Sequence, residues 1–185
     1  MKDFMRSFGF YDCGWVDTKD VKFRQEIRQM CEVNTCRMYG ATWACPPAVG
    51  TVEECRDRVQ GYEKMLVLSG KYDLEDSFDF EGMQEGAKKF HEASRALNEW
   101  LRKKGLDYIL LANEGCDLCK KCTYPDAPCR FPDMATGSLE GYGIFVSELA
   151  NLAGFYITAI RGMNTPLHSF SLRPFSYLNT RLPSV

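Results

Sequence analysis

The sequence predicts an α/β fold, a single sandwich of helices on a mixed sheet with two cysteine-rich metal loops laid at one end. Three observations predict it. The apolar runs Met65 to Leu68, Asp107 to Ala112 and Phe155 to Ile160 are short and rich in aliphatic residues, as strands are. Stripes of apolar residues at helical spacing stand between them. Two further stretches, 31–50 and 115–132, hold seven of the nine cysteines among glycines and prolines and fit neither pattern.

In chain order, Asp17 and Thr18 are candidate caps for a first helix whose face carries Val21, Ile27, Met30 and Cys31. The segment 34–50, with Gly40, Pro46, Pro47 and Gly50, cannot continue a helix. Thr51 followed by Glu54 is a capping-box pair, and Val52, Cys55, Val59 and Tyr62 form the stripe of the helix it starts. After the Met65 to Leu68 strand, Asp73, Glu75, Asp76, Asp79, Glu81 and Glu85 read as a solvated loop leading into a helix N-terminus, where carboxylates meet the positive end of the dipole. Met83, Ala87, Phe90, Ser94, Leu97 and Leu101 then mark one long amphipathic helix, closed by Gly105.

The strand from Asp107 runs into Cys116, after which Pro125, Pro128 and Pro132 force irregular backbone. Ser138 caps a helix whose face is Leu139, Tyr142, Val146, Leu149, Ala150 and Ala153, ended by Gly154. Phe155 to Ile160 is the next strand, and Leu167 to Leu172 pairs beside it after a turn through Gly162 to Pro166. No internal repeat or low-complexity tract divides the chain, so residues 1–185 read as one metal-binding domain.

Apolar residues make up 45% and charged residues 26% of the chain, which excludes disordered and membrane-spanning classes. A net charge of -2 and a pI near 5.8, with no cluster of Lys and Arg, argue against a nucleic-acid partner. The first residues carry charge where a signal peptide needs an apolar core, and no stretch approaches the roughly 20 apolar residues of a membrane span. A cytoplasmic protein with no membrane partner is therefore expected. In that reducing compartment nine cysteines would stay thiols unless a metal or cluster claimed them, and the odd number fits no closed disulfide framework.

Cys116, Cys119, Cys122 and Cys129 form the strongest pattern. Three thiolates at intervals of three residues let one loop wrap a cubane, and a fourth completes the ligation of a [4Fe-4S] cluster. Zinc also accepts four thiolates, with Cys116/Cys119 and Cys122/Cys129 as its two pairs. Lys120 and Lys121 would favour the thiolate forms. Cys31, Cys36 and Cys45 form a second set, the last followed by Pro46, which stiffens the chain without offering a donor. Its fourth ligand is Cys13, Cys55 or none. Cys55 sits on an apolar stripe and reads more simply as core, and a three-cysteine site would leave one iron open to substrate or to a ligand other than cysteine.

Cys31, Cys36-Arg37-Met38-Tyr39-Gly40 and Trp43-Ala44-Cys45-Pro46-Pro47 combine with Gly115-Cys116, Cys119, Cys122, Tyr124-Pro125, Pro128-Cys129-Arg130 and Pro132. Together with Ser138-Leu139-Glu140-Gly141-Tyr142-Gly143-Ile144, this resembles a cysteine-rich family of predicted metal-binding proteins, a domain of unknown function common in anaerobic bacteria and archaea. The resemblance spans about residues 31–170. It implies metal binding at those seven cysteines and supplies no reaction.

There is no phosphate loop, no dinucleotide fingerprint and no radical CxxxCxxC motif. His91 and His168 have no catalytic partner at readable spacing, and Trp15, Trp43 and Trp100 read as core or loop anchors. After Glu148 the charges are all basic, Arg161, Arg173 and Arg181, a tail suited to an acidic redox partner or to the acidic loop of a second copy in a homo-oligomer. The expected function is an iron-sulfur protein, an electron-transfer or redox accessory protein of anaerobic metabolism acting on a redox partner protein. The alternatives are a small iron-sulfur enzyme with an open iron at Cys31, Cys36 and Cys45, and a zinc-stabilised protein-binding module.

Overall fold

The computed structural model describes residues 1–155 apart from Ser77 and Glu114, together with the strands Phe170–Leu172 and Phe175–Thr180. Its helices are α1 (Lys2–Arg6), α2 (Gln25–Glu32), α3 (Val52–Gln60), α4 (Phe80–Lys103) and α5 (Val146–Leu152). The strands are β1 (Asp12–Asp17), β2 (Lys64–Ser69), β3 (Tyr72–Leu74), β4 (Tyr108–Ala112), β5 (Gly137–Ser138), β6 (Phe170–Leu172) and β7 (Phe175–Thr180). Five strands join in the order β1-β2-β7-β4-β5, antiparallel except for the parallel pair β4 and β5. A separate pair joins β3 to β6. The fold is thus α/β with a mixed sheet, as expected.

Alternation along the strands sends side chains to two faces, and each face has its own core. Val16, Met65, Val67 and Leu111 pack with Cys55 and Val59 of α3 and with Leu149 and Ala150 of α5. Cys13, Leu66 and Leu68 pack on the other face with Met5 of α1 and with Phe90, Ala93, Leu97 and Leu101 of α4. The long stripe expected on α4 is buried from Phe90 onward, while Met83 and Ala87 near its start are half-buried. Asp79 caps it by accepting from the Gly82 N–H at 2.8 Å, and the other carboxylates of the acidic segment, Asp73, Glu75, Asp76, Glu81 and Glu85, lie in solvent.

The capping box at α3 is complete. Thr51 Oγ1 accepts from the Glu54 N–H at 3.1 Å, and Glu54 Oε2 accepts from the Thr51 N–H at 2.7 Å. Thr51→Ala should destabilise the protein by about 1 kcal/mol in urea unfolding, and a change below a few tenths would show that the cap is dispensable.

Three expectations are corrected. The first helix does not follow Asp17 and Thr18, which end β1 and open a 3₁₀ turn; it starts at Gln25, and Met30 on it is exposed. The helix expected from Ser138 onward is two pieces, a 3₁₀ turn at Glu140–Tyr142 and α5. Gly143 separates them with φ +79°, and a Cβ there would lie 2.9 Å from the Arg24 carbonyl, so only glycine fits. Ser138 Oγ does accept from the Gly141 N–H, so the capping bond exists on a shorter turn than expected. Trp15 stands exposed on β1 instead of in the core. Strands β1, β3 and β7 had no clear signal, β1 because Gly14 interrupts it. A Cβ at Gly14 would lie 2.5 Å from the Ala153 carbonyl, so the end of α5 approaches the sheet through that gap. Residues 156–160 of the expected strand, the turn from Gly162 to Pro166, and Arg161, His168, Arg173 and Arg181 lie outside the described residues.

Arg24 ties the start of α2 to α5 by two parallel bonds to Glu148, at 3.0 and 2.6 Å. The Arg24 hydrogen bond holds the Glu148 carboxyl below its usual range. A carboxyl depressed on folding contributes stability above its unfolded value of 4.5, lost as pH falls through the lower folded value. Glu148→Gln should therefore be less stable than the parent at pH 7 and equal to it in strong acid, as read by thermal unfolding against pH.

Candidate metal centre

Irregular backbone builds both cysteine loops, and the sheet brings them together. Strand β5 lies between β4 and the first loop: Leu111 pairs with Gly137 and Ala112 with Ser138, while the Ser138 N–H donates to the Ala44 carbonyl at 2.9 Å. The first loop closes on itself where the Gly40 N–H donates to the Pro46 carbonyl at 2.8 Å. Trp43 joins the two loops, donating from Nε1 to the Ala127 carbonyl at 3.1 Å and meeting the Tyr124 ring edge-on at 4.9 Å. It is a loop anchor, as expected.

All four cysteines of the second loop line one cavity of about 240 Å³, with Trp43, Leu118, Lys120, Lys121 and Arg130. Backbone N–H groups point at two of these sulfurs. Burial pushes the Cys122 thiol up, but N–H groups of Tyr124, Trp43 and Thr123, with the charge of Arg130, bring it below its usual value. Cys116 receives N–H groups from Leu118 and Thr136, yet burial dominates and its thiol stays raised. One of the donors to Cys122 thus comes from the first loop.

Cys31, Cys36 and Cys45 line a second, wider cavity of about 470 Å³, together with Tyr39, Asn113, Ser138 and Glu140. The Cys31 thiol is pushed up to about 11, first by burial and then by the charges of Glu140, Cys45 and Cys36. Burial also raises Cys45, helped by Cys36, Glu140 and Cys116, a residue of the neighbouring cavity. The sites adjoin, for a side chain at Gly115 would lie 3.5 Å from Cys45 Sγ. Among the described residues, no three His, Cys, Asp or Glu side chains stand close enough to hold a single metal ion; the thiols ring cavities.

Neither Cys13 nor Cys55 lines either of these two cavities. Cys13 is buried against α4, and Cys55 is fully buried, donating to the Val49 carbonyl at 3.4 Å and accepting from Arg58 at 3.2 Å. Both pack in the core, which leaves the three-cysteine set without a fourth cysteine among the described residues.

The sequence did not reveal two features. Asp117, between two candidate ligands, accepts from Arg95 at 2.9 and 3.0 Å and pairs with His91 Nδ1 at 2.8 Å, tying the loop to α4. The spacing of His91 and Arg95, four apart on one helix, was the available signal. Glu140 was hidden because it was read inside a helix; its place in the Ser138 to Ile144 stretch was its signal.

A family model described as predicted metal-binding protein (DUF2284) matches residues 14–172. No curated protein and no solved structure matches the chain.

Proposed function

Since the chain belongs to this family of predicted metal-binding proteins, we propose that it is a cytoplasmic iron-sulfur protein that passes electrons to a partner protein. Cys116, Cys119, Cys122 and Cys129 would hold one four-iron cluster, and Cys31, Cys36 and Cys45 would anchor a second. A single observation carries the reading: four thiols spaced for a cluster line one cavity of about 240 Å³. A zinc ion held by sulfur at about 2.3 Å needs no such space between its ligands.

Each cluster, when bound, supplies a site that accepts or gives up one electron. The chain's own groups do the rest. The N–H groups of Tyr124, Trp43 and Thr123 on Cys122, and those of Leu118 and Thr136 on Cys116, lower the cost of adding negative charge there. Lys120, Lys121 and Arg130 line the same cavity and suit a partner that presents carboxylates. A side chain at Gly115, the residue before Cys116, would lie 3.5 Å from Cys45 Sγ, so the two cavities adjoin, which suits passage of an electron between them.

The wider cavity with only three thiols favours a second reading, a small iron-sulfur enzyme acting at that site. Anaerobic purification followed by iron, zinc and sulfide analysis tests the main one. The expected preparation is brown, absorbs near about 400 nm, and carries about eight irons and eight sulfides per chain. Stoichiometric zinc without sulfide would replace this reading with the zinc-stabilised binding module.

A further inference from the structure

Cysteine does not complete the second site, and the fold brings one particular residue to the gap. Glu140 lines the same cavity as Cys31, Cys36 and Cys45, and among the described residues lining it Glu140 is the only carboxylate. The placement is built into the backbone. The Leu139 N–H donates to the Ala112 carbonyl at 3.0 Å, and the Leu139 side chain is fully buried. The next residue opens the 3₁₀ turn at Glu140–Tyr142. A Cβ on Gly141 would lie 3.1 Å from Pro46 Cδ, so this turn packs directly against the residue that follows Cys45. Ser138 Oγ donates to Glu140 Oε2 at 3.2 Å, which orients the carboxylate.

We infer that Glu140 supplies the fourth protein ligand of the cluster anchored by Cys31, Cys36 and Cys45. The inference rests on the two-cluster reading and adds the residue that distinguishes the second cluster from the first. An ionised carboxylate gives a four-iron cluster the same ligand charge as a fourth thiolate, so the charge balance is kept. Oxygen is the harder and weaker partner for iron in a sulfide cluster, so the iron it holds is the one most readily exchanged. The two clusters then divide the work. The all-cysteine cluster is closed and suits electron passage, while the Glu140 iron can trade its carboxylate for a small oxygen-donor ligand. The second cavity, about twice the volume of the first, has the room for that ligand.

The test compares the anaerobically loaded protein with Glu140→Gln and Glu140→Cys. Glutamine keeps an oxygen that can accept from Ser138 but binds iron poorly, and cysteine supplies a thiolate. All three are treated briefly with ferricyanide while iron release and the three-iron electron paramagnetic resonance signal are followed. The parent should release about one iron per chain. Glu140→Gln should release it about tenfold faster. Glu140→Cys should retain it and give little three-iron signal. The four irons of the Cys116 to Cys129 site, kept in every variant, show that the fold is intact. Release at the parent rate in both variants, with eight irons bound at the start, overturns the Glu140 assignment alone. A parent that binds only four irons overturns the two-cluster reading and the assignment with it.

Discussion

Cys122→Ser should halve the iron content, from about eight to about four per chain, and loosen one loop while the sheet stays folded. Cys122 receives backbone N–H groups from Tyr124, Trp43 and Thr123, so its sulfur is one of the points at which the two cysteine loops meet. Between Gly115 and Thr136 the described backbone forms no helix or strand, and neither core cluster draws a residue from it. Apart from the proposed cluster, the contacts that tie the segment to the rest of the chain include Trp43 to Ala127 and Tyr124, Asp117 to Arg95 and His91, Asn98 to Met134, and Arg102 to Asp133. Exposed contacts of that kind contribute about 0–1 kcal/mol each, whereas a structural metal site in a small domain contributes on the order of 10 kcal/mol. Limited proteolysis should therefore cut the variant within 115–136 and spare the sheet, with far-ultraviolet circular dichroism little changed. Full iron content in the variant would remove Cys122 from the ligand set. Chelation of the parent under reducing conditions should produce the same proteolytic pattern.

The second large effect lies in the core. Phe90 is 1% exposed on α4 and packs edge-on against Phe10, with ring centroids 5.5 Å apart. A Cβ at Gly70 would come within 2.8 Å of its ring, so the surroundings are closed tightly around it. Phe90→Ala opens a cavity that such a rigid setting cannot collapse, at a cost of about 3–5 kcal/mol. Domains of this size are stable by about 5–15 kcal/mol, so the variant should lose a large share of its stability and melt roughly 6–20 °C lower. Phe90 lines neither cavity, and iron content measured at low temperature should match the parent. A loss below about 1 kcal/mol in urea unfolding would show that the α4 face relaxes freely.

Features of the fold set by neighbours in sequence were legible. The capping box at Thr51 and Glu54, the α4 stripe from Phe90 to Leu101, and the β2 run at Met65 to Leu68 each depend on spacing within a few residues. The seven cysteines and the division into a set of four and a set of three were equally plain, and the two sets line separate cavities. Elements whose signals depend on distant partners were not legible. Strand β1 contains Gly14 because α5, far along the chain, presses on it. The helix expected after Ser138 breaks at Gly143 because the Arg24 carbonyl occupies the space a side chain would need. Strand β7 enters between β2 and β4, an order that no local pattern encodes.

By itself the sequence determined which residues carry the chemistry of candidate metal ligands and which stretches cannot be regular, because ligand chemistry, proline and glycine act locally. Only the tertiary structure decided that Cys13 and Cys55 are core thiols, that Trp43 lends its N–H to the other loop's Cys122, and that Glu140 faces the three-cysteine site. The first follows from the packing of β1 on α4 and of α3 on the sheet, and the other two from β5, which pairs with β4 and also donates to the first loop's Ala44 carbonyl. Hydrogen bonding across the sheet, blind to side-chain identity, thus brings together residues that no spacing along the chain relates.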